Sequence, residues 1–381
     1  MSNSEGKTPK EKLKAVKLRH SKFLVRHSTF IQFIDIGKER HPMKAWLLKG
    51  YNQPLETIDR DRPQPGPGQI LLKVKACGLC YTDIKIIKGE IPPPIVTLPH
   101  VLGHEVAGEV VEIGQGVSGI QIGDVGVVYS YVTCHECPKC LTGRENICQN
   151  LRRVGFELDG GFSEYLSIPA YNFCPFSRNL QTHMMAILAD AIGTPYHAIT
   201  RLAQVKAGQD VLIVGAGGLG LHAVQIAKLC GARVMVVDVN PDALALAKTY
   251  GADEVLPAEG AGQAVSELTT GQGVDAVIEI VGAPETLSWS LPATKSGGKL
   301  ILVGYAPGRP FPLDTMMMHY REYTVIGSRF VTKAELLELI KLVEQGKIQP
   351  VVTKTLPFDQ ANEALEALKK KTYLGRLVLT L

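Results

Sequence analysis

The chain has 381 residues, 45% hydrophobic and 20% charged, enough to bury the cores of two domains, and it holds no run of 18 apolar residues to span a membrane. Its formal net charge of +4 is unevenly spread: residues 1–42 carry ten Lys/Arg against four Asp/Glu, and the rest carries 31 against 33. A near-neutral body excludes broad phosphate-backbone binding, so neither nucleic acid nor a membrane is expected as a partner.

Residues 1–42 read as a basic extension, poorly ordered and nonessential, because MKAW at Met43 looks like the natural start of a first strand; a basic partner-binding arm and a poor transit peptide are the other readings. The extension lacks a charged-then-apolar pattern with a small-residue cleavage site, which argues against secretion. From Met43 to about Ala170, the runs QILLKVKACG, HEVAGEVVEIG, DVGVVYSYV and FSEYLSIP are separated by glycine and proline clusters such as RPQPGPGQ and IPPPIVTLP. This punctuation predicts an irregular, mostly β domain.

Two groups of metal-binding residue types lie in that region. Cys80, with His104 and Glu105 following Gly103, offers one thiolate and one imidazole, half of an open zinc sphere that keeps a position for substrate. A redox reading of CGLC is disfavoured because nothing nearby resembles a thioredoxin helix, and Cys77 fits a strand core. Further on, Cys134, Cys137, Cys140 and Cys148 recur as Cys-x2-Cys-x2-Cys-x7-Cys, with Pro138 and Gly143 supplying turns. Four thiolates so close in one polar loop predict a closed tetrahedral zinc site with ligands at about 2.3 Å; two disulfides or four free thiols are the competing readings. A closed sphere holds a loop, here about residues 130–150, and leaves the chemistry to be sought elsewhere. Eight cysteines without a disulfide framework suit a reducing compartment, so a cytoplasmic location is expected.

From about Tyr196 to Ser328 apolar strands alternate with helical stretches: DVLIVG, LGLHAVQIAKLCG, RVMVVD, PDALALAKTYG, DEVL, VDAVIEIVG, KLILVG and YTVIGS. That alternation predicts a doubly wound parallel sheet. Gly215, Gly217 and Gly220 stand as Gly-x-Gly-x-x-Gly between strand and helix, and Asp238 ends the next strand eighteen residues after the last glycine. The glycines suit a tight turn, close approach of a pyrophosphate and close helix packing, while the carboxylate suits both ribose hydroxyls, which predicts NAD over NADP. Two amphipathic helices, KAELLELIKLVEQGK and DQANEALEALKKK, and a strand RLVLTL complete the chain.

Taken together, CGLCYTD with GHE, the four-cysteine loop, GAGGLG with Asp238 and the C-terminal LGR resemble the zinc-containing alcohol dehydrogenases of the medium-chain dehydrogenase/reductase superfamily, from Met43 to Leu381. The resemblance implies an α/β architecture: a GroES-like, mostly β catalytic domain over residues 43–195 and 330–381, and a Rossmann domain over 196–329. The active site is then in the cleft between them, with two zinc ions per chain and NAD. Cys80, His104 and Asp190 are the implied ligands of the catalytic zinc. Asp190 stands in ADAIGTPYHA where many relatives carry cysteine, and a helix-start acid is its other reading. Glu105 resembles the acid beside the ion, Asp83 the carboxylate that orients the histidine, and Thr82 the hydroxyl that bonds the reacting oxygen. Gly215, Gly217, Gly218, Leu219, Gly220 and Asp238 are the implied dinucleotide site, and Arg376 resembles the partner of its pyrophosphate.

The implied chemistry is a hydroxyl acidified by zinc and a hydride passed to nicotinamide, interconverting a primary or secondary alcohol with its aldehyde or ketone. Small alcohols or carbonyls are the implied partners, and a homo-oligomer, dimer or tetramer, is implied as well. A polyol, an amino alcohol or a cyclic hydroxyacyl thioester is the alternative substrate, and a non-catalytic NAD-binding relative the alternative role. Two positions depart from the family. Lys85 stands where many members end a proton relay with histidine, and Tyr81 where a basic residue commonly faces the pyrophosphate. His222 reads as a packed or solvated residue, and His183, His197 and His319 show no metal spacing. Met316 to Met318 read as core filling ahead of a pocket edge or subunit contact, and Tyr129 and Tyr131 as pocket candidates.

Overall fold

The computed structural model describes Pro42 to Leu381; the basic extension up to residue 41 lies outside the described residues. The first strand, Pro42–Leu48, opens one residue earlier than MKAW suggests, with Pro42 paired to Asp61. Pro42 is therefore strand, not extension. Among the described residues no helix is long and apolar enough to cross a membrane.

Eleven residues, Gln69–Leu79, form the central strand of the first, seven-stranded sheet. Leu71, Leu72, Val74, Ala76 and Cys77 are fully buried, as apolar alternation and β-branching favour in a strand covered on both sides. It pairs antiparallel with Glu105–Ile113, Tyr165–Pro169 and Arg376–Thr380. The registers Gly78 with Glu105 and Leu79 with Leu377 bring the end of this strand beside His104 and Arg376. Residues distant in sequence thus reach one corner. Gly78 permits it, because a Cβ there would fall 2.1 Å from Glu105 Oε2.

The second sheet has six parallel strands in the order Glu254–Pro257, Arg233–Asp238, Asp210–Val214, Val274–Glu279, Thr294–Leu302 and Thr324–Gly327. This 3-2-1-4-5-6 order by sequence is the doubly wound arrangement whose ligand site lies at the carboxyl ends of the strands, where the order reverses. Helix Gly218–Leu229 follows the first of them and buries Leu221, Ala223, Val224, Ile226 and Ala227. After the sixth strand and helix Lys333–Glu344 the chain returns to the first sheet through Val352–Pro357 and Arg376–Thr380.

Between the sheets, the segment 182–203 departs from ordinary helix. Leu188–Ile192 and His197–Ala203 are π-helical turns, separated by the α-turn Gly193–Tyr196. Such wide turns recur at functional sites because they re-aim side chains. Ile187, Leu188, Ala189, Ala191 and Ile192 are fully buried, and they leave Asp190 on the opposite side, facing the corner described above.

Candidate active site and cysteine lobe

The cysteine loop is closed at its base by a short antiparallel pair, Tyr131 with Arg153 and Val132 with Arg152. Inside it, Sγ–Sγ separations are 3.5 Å for Cys134–Cys148, 3.6 Å for Cys137–Cys140, and 3.9 Å for both Cys134–Cys140 and Cys137–Cys148. Four sulfurs at about 2.3 Å from one centre stand about 3.8 Å apart, whereas a disulfide needs about 2.05 Å. The disulfide reading therefore fails and the donor set fits zinc. Backbone N–H groups of Cys137 and Asn150 donate to Cys134 Sγ and Cys148 Sγ at 3.4 and 3.3 Å, the support a thiolate wants. Such N–H donors pull the Cys137 thiol down to about 6. Beyond the metal donors, Asn146 Nδ2 donates to Arg329 O at 2.8 Å and Glu145 Oε1 accepts from Lys333 N–H at 2.8 Å, tying the lobe to the helix that follows the second sheet.

A second cluster unites Cys80, His104, Glu105 and Asp190, whose ligating atoms all lie within 4.8 Å of one another. Cys80 caps helix Tyr81–Ile87, and its backbone N–H donates to Asp83 Oδ2 at 2.9 Å. The other oxygen of Asp83 faces His104 Nδ1 at 3.5 Å, which leaves Nε2 turned to Asp190 Oδ2 at 3.8 Å. Asp83 thus stands between the Cys80 backbone and the His104 ring. Thr194 Oγ1, one turn after Asp190, donates to Asp190 Oδ1 at 2.8 Å, and Thr82 Oγ1 stands 3.5 Å from Cys80 Sγ. Ser130 Oγ donates to the His104 carbonyl.

Electrostatically the corner is crowded with acids. Asp83 and Glu105 are fully buried, and among the described residues the one permanent cation paired with this corner is Arg376, on Glu105 and Asp190. Its guanidinium forks onto Glu105 and donates to Asp190 Oδ2 at 2.7 Å. Burial pushes Glu105 up to about 8 against the pull of Arg376, while Asp190, despite its burial, falls below the carboxylate range through His104 and Arg376. Beside that guanidinium, and against the opposing pull of burial, Asp83 and Asp190 raise the His104 imidazole well above its usual value, and a bound cation could replace the charge those protons supply. A thiolate, an imidazole and carboxylates at one centre are the donor set of an open zinc site.

Facing this corner is the glycine loop. Gly215 has φ +102, nothing stands within 4 Å of a Cβ added at Gly217, and one added at Gly220 would fall 1.9 Å from Gly215 O. The three positions divide into turn, open approach and close helix packing. Asp238 holds the loop through Ala216 N–H at 2.6 Å and takes Asn240 N–H at 2.9 Å, with further lone pairs left to accept. Gly218 and Leu219 line the same cleft, and Arg376 packs so closely on Gly218 that a Cβ there would meet its Cδ at 2.9 Å. The cleft measures about 1430 Å³ and runs from Asp238 to Cys80, beyond the size of an ordinary single-ligand pocket and enough for a dinucleotide with a small substrate. Tyr131, stacked on Phe330 at 4.1 Å, and Phe156, 5.1 Å from the His104 ring, make its metal end aromatic.

Several residues fall outside the site. His222 is fully buried, with Nδ1 to Gly218 O at 2.6 Å and Nε2 accepting Val351 N–H at 2.9 Å. His197 contacts both oxygens of Glu335 at 3.0 Å, and neither His183 nor His319 lines the cleft. Tyr129 is buried behind Tyr131 and does not reach the cleft; Met317 and Met318 pack on the sheet while Met316 is exposed. Tyr81 lines the cleft 5.9 Å from Lys371 Nζ. Sequence reasoning missed Thr194, Ser130, Phe156, Phe330 and Tyr305. Only Thr194, four residues from Asp190, carried a local signal.

Comparison with known proteins agrees with this geometry. Residues 66–178 match the alcohol dehydrogenase GroES-like domain, and residues 218–345 match the zinc-binding dehydrogenase family. An NAD-dependent alcohol dehydrogenase of Sulfolobus acidocaldarius is 38% identical over 344 residues, covering 88% of this chain and 99% of the relative. An L-threonine 3-dehydrogenase of Pyrococcus furiosus is 36% identical over 325 residues, covering 82% and 92%. The crystal structure of the alcohol dehydrogenase from Aeropyrum pernix superposes with a TM-score of 0.84 at 34% identity, over 89% of this chain and 100% of that one. Acetophenone reductase from Geotrichum candidum, solved with NAD, gives 0.81 at 32%, over 91% and 99%. With a cysteine lobe, a glycine loop and matches to both halves, the chain belongs to the zinc-containing alcohol dehydrogenases of the medium-chain dehydrogenase/reductase superfamily.

Proposed function

We propose that the chain catalyses reversible hydride transfer between a primary or secondary alcohol and NAD, giving an aldehyde or ketone. The observation that carries this is the convergence of Cys80, His104, Glu105 and Asp190 within 4.8 Å in a cleft that also contains the glycine loop and Asp238. Cys80, His104 and Asp190 would hold the catalytic zinc, with Glu105 beside it, and Cys134, Cys137, Cys140 and Cys148 would hold the structural one. When bound, the catalytic zinc supplies Lewis acidity toward the substrate oxygen, and NAD supplies the hydride acceptor. The chain's own residues do the rest. Thr82 Oγ1 accepts a hydrogen bond from the substrate hydroxyl and relays its proton outward by giving up its own, Asp83 keeps His104 in one orientation, and Gly215, Gly217, Gly218, Leu219, Gly220 and Asp238 bind the dinucleotide. Arg376 neutralises the acids beside the reacting centre and, next to Gly218, is within reach of a pyrophosphate.

Aromatic walls from Tyr131, Phe156 and Phe330 support an apolar or aryl substituent on the carbinol carbon, and they exclude water from the reacting centre. In this reading residues 43–195 with 330–381 form the catalytic domain and 196–329 the coenzyme domain, and the enzyme is a cytoplasmic homo-oligomer. Light scattering on the purified chain tests the last point. An alcohol panel read at 340 nm with NAD and NADP tests the activity, and should include benzylic and secondary alcohols, a polyol and L-threonine. Two zinc ions per chain, falling to one in Cys80→Ser, are expected. One zinc in the wild type and no turnover across the panel mark a non-catalytic NAD-binding relative instead.

A further inference from the structure

Lys85 lies on helix Tyr81–Ile87, one turn beyond Thr82, and Tyr305 lies on the loop that leaves the strand Thr294–Leu302. The metal-ligand side and the coenzyme side of the cleft meet at this pair. Lys85 Nζ donates to the Tyr305 carbonyl at 2.7 Å and sits 3.6 Å from the centroid of the Tyr305 ring. The ammonium therefore engages both a backbone acceptor and a π face of one residue. Partial burial lowers its pKa, and among the described residues no carboxylate forms an ion pair with it. The far partner is firmly mounted: a Cβ on Gly304 would fall 2.0 Å from Ile280 O, so the loop lies close against the carboxyl end of the interior strand Val274–Glu279.

An ordinary surface lysine keeps its ammonium hydrated and its stem mobile. Here the stem is fixed and the ammonium engaged at a point that spans the cleft between Thr82 and the coenzyme loop, although Tyr305 itself is 48% exposed. We propose that Lys85 and Tyr305 form a clasp across the cleft and are positioning residues that hold the metal-ligand helix and the coenzyme sheet at their working separation. Hydride transfer tolerates little error in that separation, and bound dinucleotide leaves more slowly from a cleft held shut. The consequence for turnover rests on the activity proposed above; the clasp itself is read from coenzyme release.

Stopped-flow release of NADH from the zinc-replete protein tests it. Loss of one charge-assisted hydrogen bond and one cation–π contact in Lys85→Met should speed release about tenfold, and Lys85→Arg, which keeps both contacts, should stay within about threefold of wild type. Tyr305→Leu removes only the ring and should speed release about threefold, while Tyr305→Phe keeps the ring and should match wild type. Because the two residues act through one contact, Lys85→Met/Tyr305→Leu should release NADH no faster than Lys85→Met alone. Wild-type release from Lys85→Met, or single effects that multiply in the double variant, overturns the clasp. Variants that show this coupling, in a protein whose wild type binds NADH yet turns over no alcohol, sink the proposed activity and leave the clasp standing.

Discussion

Replacing Asp238 by glycine gives a quantitative test of coenzyme choice. The carboxylate accepts Ala216 N–H at 2.6 Å and Asn240 N–H at 2.9 Å, one bond on each oxygen. A carboxylate has about four acceptor sites, so two remain for the adenosine ribose hydroxyls of NAD. Each hydrogen bond to a charged group contributes about 1.5–3 kcal/mol. With water replacing part of the loss, kcat/KM for NAD should fall roughly 10- to 150-fold. NADP should gain from the same change. Like charges near 4 Å repel by about 4 kcal/mol at a surface-like dielectric, so deleting the carboxylate lifts a penalty on the 2′-phosphate. It also frees two backbone N–H donors that then face that phosphate. Initial rates at 340 nm, with a saturating alcohol and varied NAD or NADP, read both effects. A glycine variant that keeps NAD kcat/KM within twofold of wild type, with no gain for NADP, would refute the assigned role of Asp238. The released amides also weaken the loop, so thermal midpoints with and without coenzyme should accompany the kinetics.

Cys148→Ser should lower zinc from two ions to one per chain and cost several degrees of thermal midpoint, since the lobe loses its organising centre; elemental analysis and scanning calorimetry check this, and unchanged zinc content defeats it. Asp83→Asn should leave the cysteine lobe intact while weakening metal retention at Cys80 and His104 by about 10- to 100-fold, measured by competition with a chromogenic chelator. His222 links pH to stability. Burial pulls it from 6.5 down to about 4, so its contribution is full above pH 6.5 and is lost as pH falls toward 4, a span of about 3 kcal/mol. Relative to His222→Gln, the wild-type midpoint should therefore drop between pH 7 and 4, and parallel curves would exclude the depressed imidazole.

What the chain discloses locally and what it conceals divide along sequence separation. The cysteine loop is local: its four sulfurs stand within fifteen residues, so spacing alone foretells an array whose edges measure 3.5 to 3.9 Å. The glycine loop and Asp238 are nearly as local, and the strand-helix alternation around them reads directly into the 3-2-1-4-5-6 sheet. Asp190 is different. Its direction depends on the π-helical turn Leu188–Ile192, for which LADAI holds no periodic signal, and family resemblance alone singled it out. The partners of Arg376 and Lys85 are 271 and 220 residues away in sequence, and only the register of the first sheet and the closing of the cleft bring them together.

That separation also explains why one arginine has two attachments. The Asp190 carboxylate divides its oxygens, Oδ1 taking Thr194 Oγ1 and Oδ2 facing both His104 and Arg376, which the single sulfur of a cysteine could not do with the same geometry. Arg376 in turn lies against Gly218, where any side chain would collide with it. The Asp190 carboxylate and the glycine loop are therefore joined through one guanidinium held by the register between Leu377 and Leu79. Glu105, forked on the same arginine, keeps the guanidinium in place from the other side. One guanidinium thus serves Glu105, the Asp190 carboxylate and the Gly218 backbone at once, so the acids of this corner and the glycine loop share a single fixed charge.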